Sequence, residues 1–313
     1  MAPSKIVVSG KNGQLGKEFQ QLSTQFPGTE FIFRDKQSLD IADNSSVKAA
    51  FEKYTPSHFI NCAAYTAVDK AETEQEVAYK TNAEAVGNIA RYAYQFNTKL
   101  IHISTDYVFD GNAKNPYKET DATNPVNYYG YTKWLGEQLA LQNNPNTIIV
   151  RSSWIYSSYG HNFVKTMLRL MKERKEISVV NDQFGSPTYA KDLAEAILSI
   201  VNGELSMLNK EAQTPSDRAI WAGSNVKHQT SNIYHYSNDG IISWYDFAVA
   251  IKEIEGFDCI IHPIPTTSYP TPAKRPGFSG LDKTKINDAF GIQLKNWKDS
   301  LKQCLELLSS KEY

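Results

Sequence analysis

Cysteine is scarce in this chain of 313 residues, which contains only Cys62, Cys259 and Cys304. The three are odd in number, far apart and without a Cys-x-x-Cys spacing, which excludes a disulfide framework and a zinc-finger pattern. Cysteine usage of this kind is typical of a reducing compartment. We therefore expect a cytoplasmic protein.

Long hydrophobic runs and an excess of charge are lacking too. No run of about 18 apolar residues occurs, and the apolar stretch at residues 6–8 is too short for the core of a signal peptide. The 33 basic and 34 acidic residues leave a net charge of −1. This balance gives no electrostatic footprint for nucleic acid or an anionic membrane, so we expect neither as a partner.

The motifs of several enzyme classes are also missing. The chain has no His-Glu-x-x-His, no clustered His and Cys ligands and no Gly-x-Ser-x-Gly. Zinc-peptidase and serine-hydrolase chemistry are therefore not indicated, and no bound metal is predicted. Apolar residues make up 41% of the chain and charged residues 21%, a composition typical of globular domains.

Short apolar runs alternate with stretches of helical periodicity through the first half of the chain. This alternation predicts an α/β fold, a doubly wound parallel sheet of the Rossmann type with its binding site at the carboxyl ends of the strands. The predicted strands are residues 5–9, 30–33, 58–61, 100–104 and 147–151, and the predicted helices are 14–24, 45–54, 74–94 and 129–142.

The second half is less regular and predicts a smaller, interleaved substrate domain. We expect a dinucleotide-binding domain over residues 1–175, which also receives the strand near 233–237, and a mainly substrate-binding domain over 176–313. The polar stretch 203–232, which contains Trp221, predicts an insertion that is either a surface loop or a lid or subunit contact. Further helices are predicted at 163–174, 191–201, 244–255 and 298–309, with a proline-rich loop at 266–279.

A glycine-rich turn follows the first predicted strand and opens the first helix. Its glycines let the backbone approach a pyrophosphate at a helix N-terminus, where free N–H groups favour anions. Asp35 follows nineteen residues after Gly16, as a dinucleotide site requires. The predicted cofactor-binding residues of the turn are Gly10, Asn12, Gly13, Gln14, Leu15 and Gly16.

The second strand leaves the choice between NADPH and NADH open. Asp35 can accept hydrogen bonds from an adenosine ribose, which favours NADH, whereas Arg34 can meet a 2′-phosphate, which favours NADPH. Asp40 and Ile41 follow and are candidates for contact with the adenine, with a plain surface loop as the alternative.

Small and polar residues follow the third and fourth strands. Ala63, Ala64 and Tyr65 come after the third strand and let a cofactor lie against its end. After the fourth strand come Ser104, a cofactor candidate, and Thr105, whose hydroxyl can donate to a carbonyl as negative charge develops there.

Tyr129 and Lys133 are four residues apart, which on a helix places them on one face. A neighbouring ammonium favours phenolate, so the pair predicts a tyrosine whose pKa is lowered toward use in proton transfer. The alternative is a solvated helix face. Together with Thr105, the pair predicts a carbonyl-reducing site without metal or covalent nucleophile.

Several stretches also carry a family resemblance that extends over nearly the whole chain. They include 66–72 (TAVDKAE), 104–111 (STDYVFDG), 129–133 (YGYTK), 151–156 (RSSWIY), 181–188 (NDQFGSPT) and 270–276 (PTPAKRP). With the glycine turn they resemble the extended short-chain dehydrogenase/reductase superfamily, and within it the family of dTDP-4-dehydrorhamnose reductases.

The resemblance implies that NADPH or NADH reduces the 4-keto group of dTDP-4-dehydro-L-rhamnose to give dTDP-L-rhamnose. It implies that Tyr129 donates the proton, Lys133 binds the nicotinamide ribose and lowers the pKa of Tyr129, and Thr105 supplies the catalytic hydroxyl. A monomer or homodimer is expected. The implied substrate contacts are Thr66, Val68, Thr105, Asp106, Tyr107, Trp154 and Arg275, the last with loop anchoring as an alternative.

One departure from the family concerns a metal site. Some members hold a magnesium ion between subunits through carboxylates. Of the positions we align with those ligands, Glu18 is acidic, but Lys191 and Lys298 are cations, which disfavours the ion and a dimer built on it.

Two other functions remain open at the level of sequence. One is a related sugar-nucleotide epimerase or dehydratase, although Asp106 and Tyr107 stand after Thr105 where those reactions need an extra acid/base pair. The other is a non-catalytic regulatory subunit resembling that of methionine adenosyltransferase, which the intact Thr105, Tyr129 and Lys133 disfavour.

Overall fold

The centre of the molecule is a six-stranded parallel sheet. The structure is a computed structural model that describes residues 4–211 and 232–310. For residues 204–211 it describes the backbone only. The strand order is β10-β5-β4-β3-β1-β2, so the chain runs outward in opposite directions from β1, and the crevice between β1 and β3 is the expected ligand position. The strands are β1 (Ser4–Ser9), β2 (Thr29–Arg34), β3 (His58–Asn61), β4 (Lys99–Thr105), β5 (Ile148–Ser152) and β10 (Ile233–His235).

Helices cover both faces of this sheet, because alternate strand residues point to opposite sides. Ile6 and Val8 of β1 belong to the core on one face, whereas Val7 belongs to the core on the other. The first face packs on α1 (Gln14–Leu22), α8 (Ala190–Glu211) and α10 (Thr284–Phe290). The second packs on α2 (Asn44–Tyr54), α5 (Ala85–Gln95) and α6 (Tyr128–Asn143). The predicted doubly wound α/β fold is confirmed.

A second core lies beyond the sheet and is built from the later part of the chain. Buried Tyr156, Phe247 and Leu301 are among its members. Its helices are α7 (Phe163–Glu173), α9 (Trp244–Glu255) and α11 (Trp297–Ser309). Three two-stranded sheets pair β6 (Ile155–Tyr156) with β9 (Thr188–Tyr189), β7 (Glu176–Val180) with β12 (Ile260–Ile264), and β8 (Phe184–Gly185) with β11 (Ile242–Ser243).

The structure differs from the predicted elements in two places. The single helix predicted at 74–94 is wrong: it is divided into α4 (Gln75–Tyr79), a π-helical segment Lys80–Glu84 and α5, with the short α3 (Val68–Ala71) before them. Helix α8 runs to Glu211 and so takes up the start of the predicted insertion. Trp221 and the rest of that insertion lie outside the described residues.

Candidate active site

A cleft of about 830 Å³ opens at the carboxyl ends of the sheet strands, a volume that suits a dinucleotide together with a substrate. Of the site residues predicted from sequence, only Arg34 and Arg275 are not part of its lining. The predicted residues that line it are Gly10, Asn12, Gly13, Gln14, Leu15, Gly16, Asp35, Asp40, Ile41, Ala63, Ala64, Tyr65, Thr66, Val68, Ser104, Thr105, Asp106, Tyr107, Tyr129, Lys133 and Trp154.

The glycine turn has the shape that a pyrophosphate requires. Gly10 has a φ of +72°, and a Cβ there would lie 2.8 Å from the Ala63 nitrogen. A Cβ on Gly16 would lie 2.3 Å from the Gly10 carbonyl oxygen, so that glycine allows α1 to pack against the turn. Helix α1 begins after Gly13, and its free N–H groups lie at the cleft. These residues fit a dinucleotide cofactor.

At the second strand, the acidic and basic candidates have different partners. Asp35 pairs with Lys11 of the glycine turn at 2.9 Å, and Lys11 together with Ser38 holds the pKa of the Asp35 carboxyl well below its usual range. Arg34 instead donates to the Tyr54 hydroxyl at 2.6 Å and lies over that ring. Lys11 is therefore the cation closest to the carboxylate expected to face the adenosine ribose.

Thr105 is hydrogen-bonded to a buried carboxyl group and lies near Tyr129. Its Oγ1 donates to Asp106 Oδ1 at 3.0 Å and accepts from the Tyr107 N–H at 3.2 Å. Burial raises the pKa of Asp106 to about 6, and its Oδ2 has no hydrogen-bond partner among the described residues. The Tyr107 ring meets Tyr129 edge to face, with ring centroids 5.8 Å apart. Tyr129 thus lines the cleft together with Thr105, Asp106 and Tyr107.

The predicted lowering of the Tyr129 pKa by Lys133 is wrong in this structure. Burial raises the pKa of Tyr129 to about 12, and the neighbouring Thr105 hydroxyl offsets only part of this. Lys133 Nζ instead donates to the Ile103 carbonyl at 2.6 Å and lies 3.2 Å from His102 Nε2. The phenol is therefore protonated at neutral pH, which is the form that a proton donor needs, and the raised pKa makes it a weaker acid than a free tyrosine.

Helix α6, which carries both Tyr129 and Lys133, is held by its cap and by two close contacts. Asn127 caps the helix by accepting from the Gly130 N–H at 2.8 Å. A Cβ on Gly130 would lie 2.2 Å from the Tyr107 carbonyl oxygen, and one on Gly136 would lie 2.1 Å from the Asn82 carbonyl oxygen. The helix backbone therefore lies directly against the two segments that form the cleft wall.

Two stacked indoles form the opposite wall. Trp154 has a φ of +47°, a left-handed conformation that costs a non-glycine residue roughly 1–2 kcal/mol. Its ring stacks on Trp244 with centroids 3.5 Å apart and planes 11° apart, and both rings line the cleft. Gly185 lies against the same indole, because a Cβ there would be 2.8 Å from Trp154 Cε2. The stacked indoles give the cleft an apolar aromatic lining.

Arg275 has a structural partner, as do Glu18 and Lys298 among the three aligned metal positions. Arg275 Nη2 donates to Asp69 Oδ2 at 2.9 Å, which anchors the proline-rich loop. Glu18 is buried and accepts from Ser157 Oγ at 2.6 Å, while Lys298 Nζ lies 3.5 Å from Glu253. Across residues 4–211 and 232–310 we find no group of three or more His, Cys, Asp or Glu side chains that could hold a metal ion.

Among the helices of residues 4–211 and 232–310, none is both long and apolar enough to span a bilayer.

Comparison with known proteins identifies the family. The model of the family described as RmlD substrate binding domain matches residues 4–310. The chain belongs to this family. A dTDP-4-dehydrorhamnose reductase from Aggregatibacter actinomycetemcomitans is 40% identical over 306 residues, which cover 96% of this chain and 97% of that protein.

Solved structures of proteins named dTDP-4-dehydrorhamnose reductase have a similar fold. A dTDP-4-dehydrorhamnose reductase from Clostridium acetobutylicum is 40% identical, with a TM-score of 0.86 over 97% of this chain and 99% of its own. The enzyme of that name from Bacillus anthracis, solved in complex with NADP, is 36% identical with a TM-score of 0.83 over the same shares.

Sequence reasoning missed several residues of the cleft and its base. Trp244 is ninety residues from the indole on which it stacks, so no local pattern connects the two. Lys11 lies between Gly10 and Gly13 of the glycine turn, and this position could have indicated that it lies near the cofactor. His102 lies in a strand pattern that otherwise indicates only burial.

Proposed function

We propose that this chain reduces the 4-keto group of dTDP-4-dehydro-L-rhamnose with NADPH or NADH and releases dTDP-L-rhamnose. Relatives about 40% identical over nearly the whole chain are named dTDP-4-dehydrorhamnose reductase, and one solved relative is in complex with NADP. The observation that carries the proposal is the convergence of Thr105, Tyr129 and Lys133 with the glycine turn in one cleft.

The proposed chemistry needs a hydride and a proton, and the nicotinamide cofactor supplies the hydride when bound. Tyr129, which is protonated at neutral pH, donates its phenolic proton to the 4-oxo oxygen. Thr105 lines the same cleft and supplies a hydroxyl for the developing negative charge. Lys133 holds the ribose hydroxyls, and Trp154 presents an apolar face to the deoxysugar.

The remaining parts of the proposal concern the organisation of the protein. We propose the division into a dinucleotide-binding part over 1–175 and a mainly substrate-binding part over 176–313. Supporting this division, Trp244 from the later part lines the same cleft as the glycine turn. A cytoplasmic location, a monomeric or homodimeric state and the absence of a metal remain predictions from the sequence.

The test is oxidation of NADPH and NADH, followed by absorbance, with dTDP-4-dehydro-L-rhamnose as substrate. We expect turnover by the wild type and a loss of at least about 100-fold in kcat for Tyr129→Phe, because the phenol acts as the proton donor in the transition state. Cofactor affinity should stay within about twofold, since the phenol contributes little to ground-state binding.

Tyr131→Phe is the matched control, because Tyr131 lies two residues away on α6 and does not line the cleft. It should keep wild-type turnover. A wild-type protein that binds NADPH but leaves this substrate unreduced would refute the proposal, and a Tyr129→Phe enzyme with near-normal kcat would remove Tyr129 from its role.

A further inference from the structure

Three buried polar side chains form a row beneath Lys133. Ser9, Asn61 and His102 lie on three neighbouring strands, where Ser9 is the register partner of Asn61 and Asn61 that of His102. Each lies two residues after a strand residue whose side chain packs in the core beneath α5 and α6. Because side chains two residues apart in a strand point to the same side, all three point to the side of the sheet that α6 covers. All are at most 1% exposed. The mechanism proposed above uses none of them.

Hydrogen bonds define which way the Asn61 amide faces. Ser9 Oγ donates to Asn61 Oδ1 at 2.7 Å, and the Ala63 N–H donates to the same oxygen at 3.3 Å. A backbone N–H can only donate, so the oxygen lies on that side. The amide nitrogen of Asn61 therefore faces His102 Nδ1, at 3.2 Å, and donates to it.

The orientation of Asn61 determines the tautomer of His102. Burial holds the pKa of His102 well below its usual range, so the ring is neutral and carries one proton. Since Nδ1 accepts from Asn61, that proton is on Nε2, which lies 3.2 Å from Lys133 Nζ. The imidazole thus directs an N–H at the lysine nitrogen.

An ammonium group has three donors and no lone pair, so it cannot accept from this N–H, whereas a neutral amine can. Lys133 Nζ can donate to the Ile103 carbonyl in either form. Burial opposes the charged form of Lys133, whereas the Glu137 carboxylate of α6 favours it. The nearby Cys62 thiol, whose pKa is raised by burial, is uncharged near neutral pH. Burial prevails and lowers the pKa of Lys133 to about 8.

We propose that His102, oriented by Asn61 and Ser9, is a positioning residue that disfavours the ammonium form of Lys133 and so lets it exchange a proton near neutral pH. This inference rests on the proposed function, in which Lys133 holds the cofactor ribose. The row then links the protonation of Lys133 to cofactor binding. The alternative is a core histidine whose hydrogen bonds serve only packing.

The experiment measures the dissociation constant of NADPH, from the fluorescence of its nicotinamide, between pH 7 and 10 for wild type and His102→Gln. A glutamine can turn its carbonyl oxygen to Nζ and accept from the ammonium, which stabilises the charged form. Wild-type affinity should fall as pH rises through about 8, because Lys133 loses its charge there. We call the pH at which the affinity falls the break. In His102→Gln the break should move upward by roughly one pH unit.

Asn61→Asp provides a second variant, in which the added carboxylate also favours the ammonium directly. A carboxylate accepts from Nδ1–H, which moves the imidazole proton and leaves Nε2 to accept from the ammonium. The break should again move to higher pH. Repeating the titration with NADH separates the effect from ionisation of the 2′-phosphate.

His58→Gln is the matched control, since His58 is equally buried in β3 and contacts Ser57 rather than Lys133. Its break should remain at the wild-type pH. A break that stays in place in both His102→Gln and Asn61→Asp would overturn the inference while the proposed function stands. Absence of NADPH binding by the wild type at every pH would overturn both.

Discussion

Single side chains set the charge at the two ends of the cleft. At the adenosine end, Lys11 neutralises Asp35 at 2.9 Å, so a carboxylate that would repel a 2′-phosphate is paired with a cation. At the reacting end, burial raises the pKa of Tyr129 to about 12 and lowers the pKa of Lys133 to about 8. The effect at the adenosine end depends on a neighbouring charge and the effect at the reacting end on burial, and single substitutions can change either one.

Lys11→Ala should move cofactor preference toward NADH. Removing the ammonium leaves Asp35 free to accept from a ribose 2′-hydroxyl and to repel a 2′-phosphate. We expect the ratio of kcat/KM for NADPH to that for NADH to fall about tenfold, which corresponds to roughly 1.4 kcal/mol. Steady-state kinetics with both cofactors measures this ratio.

Lys48→Ala serves as the control for Lys11→Ala, because Lys48 pairs with Glu52 on the exposed side of α2 and should leave the ratio unchanged. A ratio that rises in Lys11→Ala, or one that stays constant, would show that Lys11 does not set the preference.

At the scale of elements, the site depends on how closely α6 lies against its neighbours. Gly136 lets the helix backbone touch the π-helical segment at Asn82, and the Asn82 side chain donates to the Tyr65 carbonyl at 2.9 Å in the cleft wall. Asn82 Nδ2 also donates to Thr132 Oγ1 at 3.2 Å. The π-helical turn therefore connects α6 to the loop after β3, and this explains why the predicted continuous helix is interrupted there.

Gly136→Ala should destabilise the protein and slow the reaction. The new Cβ would lie 2.1 Å from a backbone oxygen, so α6 must move. Overpacking of this kind costs about 1–3 kcal/mol, and a displacement of Tyr129 and Lys133 should lower kcat by roughly tenfold or more. Urea unfolding and the turnover assay measure the two effects.

Gly203→Ala is the control, since Gly203 lies in α8 with nothing within 4 Å of the added carbon. It should raise the free energy of unfolding by about 0.5–1 kcal/mol and leave kcat unchanged. Equal stability changes in the two variants would contradict the close approach at Gly136.

At the scale of the whole molecule, a buried ion pair ties α6 to the central sheet. Arg151 of β5 donates to both carboxylate oxygens of Glu137, at 2.9 and 2.7 Å, and Ser104 Oγ donates to Glu137 at 2.5 Å. Arg151 also lies over the Phe109 ring and is the register partner of His235 in β10. This pair joins β4, β5, α6 and β10 below the cleft.

Arg151→Met should cost roughly 3–5 kcal/mol of unfolding free energy, because it leaves the Glu137 carboxylate buried without its cation. The double variant Arg151→Met/Glu137→Leu should recover most of this loss, since neither charge then remains buried. Urea denaturation midpoints measure both changes. A single variant as stable as the wild type would show that the pair does not hold the sheet.

Arg169→Met is the matched control for Arg151→Met. It removes an exposed pair with Glu173 on α7, where the two side chains are 59% and 52% exposed. Solvent screens such a pair, so the change should stay within about 0.5 kcal/mol.

Much of the fold could be predicted because it rests on local patterns. Strand alternation, glycine spacing and the Tyr129–Lys133 interval depend on neighbours in the chain, and the sheet appears where those patterns indicate it. The interruption at Lys80–Glu84 could not be predicted, because it depends on the approach of α6 from a distant part of the sequence. The stack of Trp154 on Trp244 could not be predicted either, because the two residues are ninety positions apart in the sequence.

The sequence by itself determined the fold class, the glycine turn and the residue types that meet in the cleft. The tertiary structure alone decided their electrostatic state: Lys11 pairs with Asp35, Tyr129 is buried, and Lys133 faces His102 rather than the phenol. The physical reason is that local geometry follows from chain neighbours, whereas a pKa depends on burial and on charges brought together from distant positions.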